Sequence, residues 1–167
     1  MNKIKTRPYI HFLFLLLFTP QAISSERLSL HPALQQLVGH WKLTEAKDQN
    51  PIPQIEIKTR KTEDNNGIIV NLYEKNDHNQ WAVALTEYIT YEKKQSKFYV
   101  LWNNKGTIGK GVGQYSIDNN SLTFSDSTMD DKPTLSVVFK FINKNKYLLT
   151  GSNPQGKEIW SFVYEKI

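Results

Sequence analysis

The chain has 167 residues, 21 Lys and Arg against 16 Asp and Glu for a net charge of +5, and no cysteine. That length suggests one domain. The missing cysteines exclude disulfides, thiol catalysis and Cys-ligated metal. The basic excess is concentrated at the start, because residues 1–24 hold Lys3, Lys5 and Arg7 and no acid, which leaves 18 bases against 16 acids beyond them.

The first stretch reads as a tripartite export signal. Lys3, Lys5 and Arg7 form a positive opening, and Ile10 to Phe18 is an apolar run. Pro20 follows, with Ala22 and Ser24 placed for cleavage after Ser24. A membrane-spanning helix needs about 20 apolar residues, and this run is roughly half that. No stable membrane anchor is therefore expected, and no cysteine stands at the cut to take a lipid. The expected domains are 1–24 as a signal peptide of bacterial type and 25–167 as the mature fold, periplasmic or secreted. The remaining bases are scattered in pairs such as Arg60-Lys61 and Lys93-Lys94 at predicted turns. Nucleic-acid binding needs a clustered basic patch, so none is expected.

Pro32 to Val38 predicts one or two helical turns, with Pro32 at the first helical position and Gly39 at the end. Short runs rich in β-branched and aromatic residues follow. They predict strands near 39–47, 54–60, 67–75, 80–92, 97–103, 107–117, 121–126, 134–143, 146–152 and 157–166. Turn residues separate them, among them Asp64-Asn65-Asn66-Gly67, Asn103-Asn104-Lys105-Gly106 and Asn153-Pro154-Gln155-Gly156. The links are too short for the crossovers of a parallel sheet. About ten sequential antiparallel strands leave long edges unless the sheet closes. The predicted fold is all-β, an up-and-down antiparallel barrel of about 8–10 strands behind a short N-terminal helix.

Alternation supports a barrel wall with one apolar face. Trp160, Phe162 and Tyr164 share a face opposite Ile159, Ser161 and Val163. Leu135, Val137, Phe139 and Phe141 oppose Ser136 and Lys140, and Trp41 and Leu43 oppose Lys42 and Thr44.

Leu37-Val38-Gly39-His40-Trp41-Lys42-Leu43 resembles the Gly-x-Trp opening strand of the calycin superfamily, the lipocalins and fatty-acid-binding proteins. The closing Tyr164-Glu165-Lys166 resembles the ending of the fatty-acid-binding proteins. The middle, with Tyr91, Trp102, Gly106 and Gly113, resembles secreted bacterial families of lipocalin-like fold. The resemblance implies a structural signature of Gly39, Trp41 and Lys166, with Lys166 lying over the Trp41 ring at the closed end. It implies a lipocalin-like barrel that holds a small ligand. Two departures are plain. Only Asp48 to Pro53 links the first two strands, so the two-helix lid of the fatty-acid-binding proteins is absent. Phe162 stands where that family places a carboxylate-gripping Arg, and only Tyr164 of that pair carries over.

The candidate ligand-binding residues are Trp81, Trp102, Phe139, Trp160, Phe162 and Tyr164, since binding pockets are mostly apolar with a few placed polar groups. The alternative is that they fill the barrel solidly. Gly109, Gly111 and Gly113 alternate on one strand, which strips that face of side chains and permits a bend or leaves room for a neighbouring Trp or a ligand. His31, His40 and His78 lack metal-site spacing, and His40 is expected to face out. Glu87 stands mid-strand at the parity of Val83, Leu85 and Ile89, where an inward face would bury it and perturb its pKa. No Ser or Thr stands in a nucleophile elbow. No catalytic residue, metal or cofactor is expected.

Three functions follow in order. The first is an exported binding module for a small neutral apolar or amphipathic ligand. The second is a packed envelope barrel that meets a protein partner through its surface. The third is an enzyme using barrel-mouth residues such as Glu87 and Tyr164.

Overall fold

A computed structural model describes residues 29–167. The export signal expected over 1–24 lies outside the described residues.

Helix α1 covers Pro32–Leu37. His31 precedes it, and its Nδ1 accepts the Ala33 amide at 3.1 Å, which satisfies one of the free amides of the first turn. Pro32 sits where a missing N–H costs nothing. Ala33, Leu34 and Leu37 are buried, so this short helix plugs one end of the barrel.

Ten strands follow: β1 Gly39–Ala46, β2 Ile55–Lys61, β3 Gly67–Lys75, β4 Trp81–Glu92, β5 Lys97–Asn104, β6 Thr107–Ser116, β7 Ser121–Thr128, β8 Pro133–Asn143, β9 Lys146–Ser152 and β10 Glu158–Lys166. Each pairs antiparallel with its neighbours, and β10 returns to β1, closing the barrel. The predicted strand bounds match within two residues. Closure leaves no sheet edge exposed.

The turns supply the backbone angles that tight hairpins need. Asn65 has φ 55°, Asn79 58° and Asn120 46°, conformations that asparagine tolerates better than most residues. Asn76 and Asn153 build the same local device. The side-chain oxygen of Asn76 accepts the amides of His78 and Gln80, and that of Asn153 accepts those of Gln155 and Lys157.

Most inward positions near α1 are apolar. Ile68, Ile89, Phe98, Leu122, Phe124 and Phe141 form a solid core there, with Trp41 and Tyr147. Trp41 pairs with Lys166 across β1 and β10. The Lys166 ammonium stands 5.1 Å from the Trp41 ring centroid and donates to the Val38 carbonyl at 2.8 Å. Gly39 lies under that side chain with φ 143°, and a β-carbon there would collide with the Lys166 stem. The positive φ at Gly39 is the conformation that favours glycine.

Register shifts interrupt five of the ladders, and the one in β4 bears on the site. In the β3–β4 ladder Leu72 faces Leu85, but Tyr73 faces Val83, so Ala84 is an extra residue. A bulge of this kind reverses which side chains point inward. Leu85, Glu87 and Ile89 face in, whereas Val83 is 50% exposed and Trp81 44% exposed. Trp81 thus does not line the interior as the uninterrupted alternation predicts. It stands on the outer face, with the Lys75 ammonium 5.6 Å from its ring.

Candidate functional site

The barrel is not packed solid. Beyond the core at the α1 end lies a cavity of about 260 Å³. Its floor includes Leu37 of α1, and its wall reaches Asn104 at the far end of β5. The lining is mostly apolar: Ile57, Val70, Leu72, Leu85, Leu135 and Leu149 are typical.

Five of the six candidate residues lie along this wall: Trp102, Phe139, Trp160, Phe162 and Tyr164. Trp160 and Phe162 stack with centroids 5.3 Å apart and planes 14° from parallel. Tyr164 stacks on Tyr147 at 5.3 Å. Trp81 is the exception, for the bulge described above. It borders a shallow outer cleft with Ile52, Pro53 and Glu56.

The three alternating glycines make room for larger neighbours. A β-carbon at Gly109 would strike the Trp102 indole, one at Gly111 would strike the Asp126 carboxylate, and one at Gly113 would meet the Phe124 ring. Each glycine therefore seats one inward side chain from an adjacent strand.

The polar groups in the wall are unusual. Glu87 on β4 and Asp126 on β7 both face the cavity, and among the described residues no Lys, Arg or His lines it. Burial raises the Glu87 carboxyl to about 7, and the neighbouring Asp126 charge adds to the rise. Burial alone raises Asp126 to about 6. Glu87 keeps some accessible surface, but that surface faces the cavity. Removing a carboxylate from water without a partner is costly, and a second like charge nearby adds to the cost.

Other buried polar atoms also lack partners. Asp126 Oδ1, Trp102 Nε1, Thr134 Oγ1 and Tyr164 Oη make no hydrogen bond among the described residues. All four residues line the cavity. Burial is the main reason the Tyr164 phenol titrates above its usual range, with smaller contributions from the Glu74 and Glu87 carboxylates. Tyr147 is raised likewise, first by burial and then by Tyr164 and Glu87. Both phenols stay neutral at physiological pH.

Glu87 was a candidate from its strand parity alone. Asp126 was not, although the same rule reaches it. Leu122 and Phe124 are inward on β7 and Asp126 continues their alternation.

Of the histidines, His40 faces outward and its Nε2 lies 2.7 Å from Glu56. His31 packs against Tyr91 and Phe98 at 4.4 and 4.8 Å between ring centroids. Among the described residues no three His, Asp or Glu side chains gather into a metal-binding group.

No protein-family model matches this chain, and no curated protein matches it. The cavity itself is therefore what speaks to function.

Proposed function

We propose that this protein is an exported, lipocalin-like binding module whose barrel holds a small amphipathic molecule. One observation carries the reading: an internal cavity of about 260 Å³ whose apolar wall contains several buried polar atoms with no partner among the described residues. Buried polar groups in folded proteins are nearly always hydrogen-bonded. Several unpaired ones facing one cavity are what a ligand or ordered solvent would satisfy. The volume sits just below the usual range of about 300–1,000 Å³ for ligand pockets, which favours a compact ligand over a long chain.

The same cavity counts against the packed-barrel alternative. The closed antiparallel barrel, α1 at one end and Lys166 over Trp41 support kinship with the calycins. The Lys-rich opening and Ala22-x-Ser24 support export.

A titration with an apolar fluorescent dye, followed through dye emission and through quenching of intrinsic Trp emission, tests the reading. Saturable micromolar binding is expected. Trp160→Asp should weaken it with the fold intact by circular dichroism. Absence of saturable binding would overturn the proposal.

A further inference from the structure

The cavity carries a charge pattern that narrows its ligand. The sequence-based expectation was a neutral ligand, because Phe162 stands where the related barrels place a carboxylate-gripping Arg and the second half of the chain has no other. The structure inverts the polarity of that problem. Two carboxylates are already inside, and among the described residues no cation in the wall answers them.

We propose that the barrel selects a small organic ammonium ion, with its charged head directed to Glu87 and Asp126 and its apolar body against Trp160, Phe162 and Leu149. The inference rests on the binding-module reading and deepens it.

Three observations support it. Both carboxylates are inward and enclosed, so they meet a ligand's charge at low dielectric rather than in bulk water. Asp126 Oδ1 accepts nothing in the protein. Gly111 is bare beneath it, so a β-carbon does not push the carboxylate aside. Independently, Tyr164 is 0% exposed, lines the same cavity and leaves its Oη unpartnered. That oxygen offers a further acceptor to an N–H donor. Trp160 and Phe162 add ring faces, which attract cations as well as apolar groups.

A carboxylate ligand would face the opposite balance. It would bring a third negative charge into a site with no cation. A neutral ligand would leave both carboxyls to stay protonated or to bear the desolvation cost alone.

Proton exchange should accompany binding. The titratable groups facing the cavity are Glu87 on β4, Asp126 on β7, Tyr147 on β9 and Tyr164 on β10. The tyrosines remain neutral, for the reasons given above. An ammonium head stabilises the ionised carboxylates, so binding near pH 7 releases protons chiefly from Glu87.

Three probes of similar size separate the possibilities: 2-phenylethylamine, 2-phenylethanol and 3-phenylpropanoate. Isothermal titration calorimetry at pH 7 in two buffers of different ionisation enthalpy reads affinity and proton release together. The ammonium probe should bind at least tenfold tighter than the alcohol, with net proton release, and the carboxylate probe should bind weakest. Glu87→Gln with Asp126→Asn should abolish the preference for the amine over the alcohol. These variants remove buried charge, so they should fold at least as stably as the wild type, and a thermal melt checks this.

Equal affinity for amine and alcohol would overturn the ammonium proposal and leave the binding module standing. So would a preference that survives in the double variant. Failure of all three probes and of the apolar dye would overturn both.

Discussion

The two ends of the barrel treat buried polar groups in opposite ways. At the α1 end Trp41 is buried and its Nε1 donates to the Leu37 carbonyl at 2.8 Å. Lys166 reaches the Val38 carbonyl, and the Tyr115 hydroxyl donates to Asn120 Oδ1 at 2.7 Å. In the cavity Trp102 Nε1 and Tyr164 Oη have no partner, and Glu87 and Asp126 face apolar walls. Trp and Tyr occur in both sets, but one set is satisfied and the other is not. The satisfied end holds the fold together. The unsatisfied part sacrifices some stability and leaves hydrogen-bonding capacity for something else.

Trp41→Ala is the strongest way to break this comparison. It removes a large buried ring from the solid end. The expected cost is about 3–5 kcal/mol, read from a urea or thermal unfolding curve. Trp102→Phe should be far milder by the same measurement, since it deletes an indole N–H that has no partner. If the two cost the same, the distinction between the ends fails.

A second test concerns pH. Glu87 and Asp126 titrate higher in the folded protein than in the unfolded chain. Protonated, they stabilise the fold at low pH, and that contribution is lost as pH rises through about 6 and 7. For Glu87, a rise from 4.5 to about 7 corresponds to about 3 kcal/mol. Exposed Asp64 and Asp130 titrate lower than usual, each chiefly through a hydrogen bond from a neighbouring Thr, and so act in the opposite sense at lower pH. The informative quantity is therefore the difference between wild type and Glu87→Gln. The variant should gain stability relative to wild type between about pH 5 and 8, as followed by urea midpoints. A difference that is flat with pH would place Glu87 in contact with solvent.

The smallest effect is expected at the rim of the solid end. Lys166→Met keeps most of the stem over Trp41 but loses the charge above the ring and the bond to Val38. At this exposed position the loss should be about 0.5–1 kcal/mol. A stability change several times larger would mean that Lys166 holds β10 against α1 by more than this one contact.

The strand sequence was legible because period-2 alternation and Asn-, Asp- and Gly-rich turns are local properties. They mark β1 to β10 without knowledge of any partner strand. Trp41 over Lys166 was legible only through the resemblance of the two chain ends. Glu87 was legible as an inward carboxylate from Leu85 and Ile89, though Val83 misled, because the extra residue Ala84 reverses the parity before it. The same bulge moves Trp81 outside.

Thus the sequence alone determined an all-β chain of short antiparallel strands and the inward faces of most of them. Alternation and turn chemistry require only neighbours along the chain. Whether the enclosed space would be filled was decided by tertiary structure. The side chains meeting there come from eight of the ten strands, and their combined volume depends on barrel closure. Closure also brought Asp126 within range of Glu87. The two residues lie 39 positions apart, and no local pattern links two carboxylates on β4 and β7 until the strands between them curl into a wall.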